Sequence, residues 1–191
     1  MEKYSDIPVT ELAPERDLEK ETRLLQNTTP ESIYLLVQYA IFTIGGRWPE
    51  AEPYIVQHVP EAYHYAKSVI KGRWPEAEPL IMKVPLQAYH YANEIIRGRW
   101  PEAEPYIAKD PLNAYKYARD VIKGRWPEAE PVIAESPEEA LWYAQDVIKG
   151  RWPEAEKNMS LDDPDHGVWR QYKRFLDNLG MGMDIWKEET W

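Results

Sequence analysis

The chain of 191 residues has no cysteine, which excludes disulfides, thiolate nucleophiles and cysteine zinc sites. It has no apolar run near the ~18 to 20 residues that cross a bilayer. Met1 to Glu15 carries acid where a signal peptide would be first basic and then apolar. The expectation is a cytoplasmic protein with no membrane contact. Positive charge is in short supply: 23 Lys and Arg against 33 Asp and Glu give a net charge of −10, which argues against direct nucleic-acid binding. Phenylalanine is nearly missing, with two residues against nine Trp and thirteen Tyr, a tilt that only a repeated motif produces.

The charge is unevenly spread. It is −4 over residues 1–46, +1 over 47–124, −4 over 125–150 and −3 over 151–191. Acidity therefore sits at the two ends, where it can attract a basic partner.

What is present is a repeat. R-W-P-E-A-E recurs unchanged at Arg47, Arg73, Arg99, Arg125 and Arg151, every 26 residues. Between the copies, Ile55, Ala62, Tyr65-Ala66, Ile70 and Gly72 reappear at the same interval. Each unit predicts two short helices. The second opens in the third copy at Asp110-Pro111, runs through Ala114, Tyr117, Ala118, Val121 and Ile122, and stops at Gly124 as its C-cap, with Lys123 in the last turn. The first is expected over about Pro101 to Lys109. Pro105 lies too deep for a helix that starts at Pro101, so the helix either begins near Glu102 to Ala103 or is kinked.

Short helices gain their stability from the faces they stack. The expected fold is therefore all-α: an α-solenoid of 26-residue two-helix repeats with terminal capping helices. Residues 1–28 form a tail (Met1 to Pro14) and a capping helix (residues 15 to 27). Residues 29–156 form the array, beginning with the second helix of a diverged repeat from Thr29-Pro30 to Gly46 and ending at the start of a fifth copy. Residues 157–191 form a capping helix opening at Asp163-Pro164, with Val168, Trp169, Tyr172, Phe175 and Leu176, and a tail bearing Ile185, Trp186 and Trp191.

The phrases G-R-W-P-E-A-E-P-Y-I and A-Y-K-Y-A-R-D-V-I-K-G resemble short helical repeats in proteins of bacteriophages, bacteria and giant viruses, over about residues 29 to 156. The resemblance implies the helical fold and a phage setting, and brings no activity, cofactor or catalytic residue. Here Ala51, Ala77, Ala103, Ala129 and Ala155 stand where relatives often have Gly.

Catalytic chemistry finds little footing. Glu102 and Glu104 are two apart and do not face one another on a helix; carboxylates repeated in five copies serve the helix dipole and the motif's Arg. His58, His64, His90 and His166 form no local metal motif, and stacked positions such as 64 and 90 lie about 8 to 10 Å apart, too far for a bridging zinc. No phosphate loop or nucleophile constellation is present. The expectation is no enzyme, no metal and no cofactor.

Invariant residues are assigned to the joints and variable ones to function. The stripe Asn113, Lys116, Asp120 and Lys123 is expected to face solvent. One of its columns reads His64, His90, Lys116 and Trp142 through the array. The fourth repeat adds Glu135, Glu138 and Glu139, so the candidate partner site is Trp142 with Glu138, Glu139 and Asp146, flanked by His64, His90 and Lys116. Tyr54, Leu80, Tyr106 and Val132, or the tail at Trp186, are the other candidates. The function expected is a protein-binding scaffold, its partner a host factor if the phage setting holds; the alternatives are an acidic nucleic-acid mimic and a repeat-based reader of ligand or nucleic acid. The oligomeric state is left open. If the Trp ladder belongs to the joints, Trp100→Ala lowers stability by about 3 to 5 kcal/mol in chemical denaturation; an unchanged midpoint with lost ligand binding would make the ladder a recognition platform.

Overall fold

The computed structural model describes residues 16–26, 29–161 and 167–181. The expected tail Met1 to Pro14, the expected helix start Asp163-Pro164, His166 and the segment with Ile185, Trp186 and Trp191 lie outside them. All regular structure among the described residues is helical. The elements are α1 (Leu18–Gln26), α2 (Pro30–Tyr39), α3 (Glu52–Ile55), α4 (Val59–Tyr65), α5 (Glu78–Ile81), α6 (Pro85–His90), α7 (Glu104–Ile107), α8 (Pro111–Tyr117), α9 (Glu130–Ala134), α10 (Pro137–Tyr143), α11 (Pro153–Leu161) and α12 (Val168–Asn178). No described helix is long and apolar enough to cross a membrane.

Two compact units divide at residue 81. In the amino-terminal unit α2 packs on α1, α3 and α4, and α4 on α5. In the carboxyl-terminal unit α8 lies between α6 and α10, α9 packs on α11, and α12 closes on α10 and α11. α12 carries the expected face: Val168, Trp169, Tyr172 and Leu176 are buried.

The proline of the motif decides where each first helix starts. α7 begins at Glu104, later than either start expected from sequence, with Pro105 inside its first turn and a tight turn from Trp100 to Ala103 before it. A helix already running from Pro101 would need an N–H at position 105 and would set the ring against the carbonyl four residues back. The fifth copy confirms the cause, because Lys157 replaces the proline there and α11 runs unbroken from Pro153 to Leu161.

The second helices end differently from expectation. Each continues into a π-helical segment, such as Ala118–Ile122, whose bonds reach five residues along. The left-handed residue that follows is not the glycine. It is Lys71, Arg97, Lys123 or Lys149, with φ from 57° to 59°, and Gly45 in the first copy. Lys123 and Gly124 both donate their N–H to Ala118 O, so a single carbonyl takes two donors, unlike a Schellman ending, in which two carbonyls share them. A side chain at Gly124 would meet nothing within 4 Å, and nothing in the structure explains the glycine.

The starts of the second helices vary in quality. Thr29 and Asp110 cap with their side chains, Asp110 accepting from Asn113 N at 2.8 Å. Val84 holds the same extended backbone, φ −108° and ψ 105°, with no side-chain acceptor. Val84→Asp should therefore raise stability by about 1 kcal/mol, read as a higher urea midpoint with unchanged slope; an unchanged midpoint would show that this helix start is already satisfied.

Candidate functional site

The invariant residues form a clasp in the first, third, fourth and fifth copies. In the third copy the Arg99 guanidinium donates two hydrogen bonds to Glu104, both at 2.8 Å. The buried Tyr117 hydroxyl donates to Glu104 Oε1 at 2.9 Å and accepts the backbone N–H of Trp100 at 2.7 Å. The ring of the same tyrosine packs on Trp126 of the next copy, centroids 5.1 Å apart. One side chain thus fastens its own repeat through its hydroxyl and the following repeat through its ring. Tyr65 does the same between Trp48 and Trp74, and Tyr143 between Trp126 and Trp152.

Both ends continue the pattern in disguise. Arg16 makes two bonds to Glu21, Tyr39 donates to Glu21, and Asp17 N donates to the Tyr39 hydroxyl. The expected capping helix α1 therefore occupies the place of a first helix, and the visible signal was the Arg-to-Glu spacing of five shared by Arg16–Glu21 and Arg47–Glu52. At the other end Tyr172 accepts from Trp152 N at 2.7 Å and donates to Glu156.

The electrostatics follow from this geometry. Arg99 above all, and then Tyr117, hold the Glu104 carboxyl below the usual carboxylate range against the opposing effect of burial. Burial, with the Glu104 carboxylate, pushes the Tyr117 hydroxyl above its ordinary value, against the Trp100 N–H that lowers it. The phenol stays protonated and keeps donating. The motif's first Glu also acts on an arginine in these copies: Glu128 is close enough to Arg99 to raise it further, as Glu154 does Arg125.

These clasps use up the Trp ladder, since Trp48, Trp74, Trp100, Trp126 and Trp152 are at most 2% exposed. The stripe expected to face solvent is only partly free. Asn113 is buried and bonded to Asp110; Asp120 accepts from Tyr89 at 2.7 Å and from Arg119. The reason is that a helix inside a stack has a neighbour on each side, and this stripe meets the preceding second helix. Asp146 holds the same post one repeat later: it accepts the Tyr115 hydroxyl and lies 3.9 Å from Arg119. Burial and that bond push the Tyr115 hydroxyl up to about 12.

Of the remaining candidates, Trp142 is 40% exposed, its ring 5.9 Å from that of Tyr115. Glu138 is exposed one turn before it on α10, whereas Glu139 is half-buried and accepts the Ser136 hydroxyl. In the same unit His90 is half-buried with Nδ1 3.1 Å from Glu94, and Lys116 is half-buried. His64, in the amino-terminal unit, is exposed with its ring 5.1 Å from that of Tyr63. Among the alternative first-helix positions, Tyr54 is exposed and Leu80, Tyr106 and Val132 are half-buried. Sequence reasoning missed the cleft beside Trp152, which lies between two packed helices and is lined by Asn158.

Comparison of the chain with family models, with curated proteins and with solved structures returns no match.

Two results should follow from the clasp. Tyr117→Phe leaves the Trp100 N–H without its acceptor and removes one of the two donors to Glu104 Oε1, and should cost about 1 to 3 kcal/mol in urea denaturation at neutral pH; a cost near zero would mean that ring packing alone holds the joint. Because the folded carboxyls of Glu52, Glu104 and Glu130 titrate below their unfolded value of about 4.3, their contribution is complete above that value. It should be lost as pH falls through it toward the folded values, so the urea midpoint declines below about pH 5. Glu104→Gln should make that decline shallower.

Proposed function

We propose that the protein is a non-enzymatic scaffold, an α-solenoid whose stacked helix pairs present the fourth repeat to a basic, partly apolar protein surface. One observation carries the reading. Trp142 is 40% exposed, while the other described tryptophans are 5% exposed or less. An exposed indole costs apolar surface in water and is the residue type most enriched where binding energy concentrates. Glu138 stands one turn away on the same helix face, and residues 125–150 carry −4, a field that would draw in and orient a cationic partner. Asp146 serves less as a contact than as the acceptor that orients Tyr115 beneath the indole. In the phage setting implied by the repeat's resemblance, the partner is a host protein.

The nucleic-acid mimic has weaker support. The motif's carboxylates stand beside its arginines, Glu128 by Arg99, Glu154 by Arg125 and Glu104 bonded to Arg99, and do not present the unbroken negative charge of a phosphate backbone. A reader that stacks bases on the Trp ladder lacks support too, since those rings are buried.

The test takes the partner captured from lysate and identified by mass spectrometry, then measures its affinity for variants of unchanged melting temperature. Trp142→Ala should weaken binding by about 30-fold, the equivalent of a hot spot of ~2 kcal/mol, and Glu138→Gln should slow association chiefly at low salt. Unchanged affinity in both would move the site to Tyr54, Leu80, Tyr106 and Val132.

A further inference from the structure

In the carboxyl-terminal unit a cleft of about 430 Å³ lies between α9 and α11. It lies at a joint that departs from the repeat. The position that holds Tyr54, Leu80, Tyr106 and Val132 in the earlier copies is Asn158 in the fifth, whose amide donates across to Ala134 O at 2.8 Å. Where the other copies place an aromatic or aliphatic side chain, this joint has a short polar one.

The lining has two characters. Pro127, Pro131 and the Trp152 indole give it apolar walls. Glu135 and Glu154 stand exposed at its edge, and neither makes an ion pair within 4 Å with another described residue. Glu130, the third carboxylate, is already held by Arg125 and Tyr143. Trp152 is 1% exposed, and its Nε1 is buried with no acceptor, as are those of Trp48 and Trp74; only at Trp152 does the indole line this cleft, and such a deficit is of a kind that bound ligands or water relieve. The cleft therefore combines a rim of two exposed carboxylates, Glu154 sharing its field with Arg125, an apolar lining and an unmet donor.

We propose that this cleft receives an arginine or lysine residue of a protein partner. The cation is held between Glu135 and Glu154, the methylenes lie along Pro127 and Pro131, and a backbone carbonyl of the same residue supplies the acceptor for the Trp152 indole. A long basic side chain suits such a place because its stem is apolar and its tip charged. Glu135 is three residues before Glu138 in the chain, so the inference rests on the fourth repeat being the binding end and names the chemistry that end reads.

The experiment follows the Trp152 indole N–H in nitrogen–proton correlation spectra of the full chain while Nα-acetyl-arginine N-methylamide is added. The expected result is a saturable downfield shift of that signal, weakened about tenfold in Glu135→Gln with Glu154→Gln and abolished in Asn158→Tyr, which restores the residue type of the first and third copies. Melting curves establish that each variant is folded, and the carboxamide pair keeps the test valid should the tyrosine not fit. Absence of a saturable shift, or equal affinity in the carboxamide pair, overturns the proposal. So does an equal shift with methylguanidinium, which lacks the carbonyl and would make this a site for free organic cations. The probe is added without the partner, so its failure rejects the cleft while leaving partner capture through Trp142 standing. A bound probe in a protein whose Trp142→Ala variant captures normally supports the cleft and rejects the Trp142 site alone.

Discussion

A single phenolic oxygen organises the first, third, fourth and fifth copies. It accepts the backbone N–H of the motif's Trp and donates to the carboxylate that the motif's Arg holds, as Tyr117 does between Trp100 and Glu104. Buried polar groups need partners, and here every member has one: the amide, the hydroxyl and both carboxylate oxygens. The aromatic tilt of the chain follows. Phe would fill the same volume, leave the Trp amide without an acceptor and take one of two donors from the Glu oxygen, so the joint takes Tyr, and Phe is left with two positions in 191. The ring of the same Tyr lies on the next Trp, so that local hydrogen bonding and stacking between repeats cannot vary independently.

A second constraint is backbone geometry. The proline after the motif holds each first helix to a single turn or slightly more, as α7 and α9 show, and its replacement by Lys157 releases a nine-residue α11. The second helices are drawn out into π segments and end on a left-handed Lys or Arg. An L residue in that conformation costs about 1 to 2 kcal/mol, offset in part by a cation at a helix carboxyl end. Loop and motif then present the Trp amide to the tyrosine of the helix that follows.

With the invariant residues committed to clasps, binding falls to positions that differ between copies. The fourth and fifth copies differ most. Trp142 stands where His90 and Lys116 precede it, and Asn158 stands where the earlier copies have Tyr, Leu, Tyr and Val. Indole, carboxylates and cleft all belong to the part of the chain between residues 127 and 158, which gives the proposed partner surface a physical basis in departures from the repeat.

The sequence by itself determined the period, the all-helical class, the second helices with their Asp110 and Thr29 caps, and the burial of the Trp ladder, because helical periodicity and an unchanging hexapeptide are local records of packing. It also marked Trp142 as the unusual member of its column. Only the tertiary structure decided which groups pair across 13 to 18 residues of chain, as Tyr117 with Glu104 and Tyr39 with Glu21, and so revealed α1 as a disguised first helix. It also took Asn113 and Asp120 out of solvent. The pattern of one helix defines one buried face, but a helix in a stack has a neighbour on either side, and the second contact is not written in its own period.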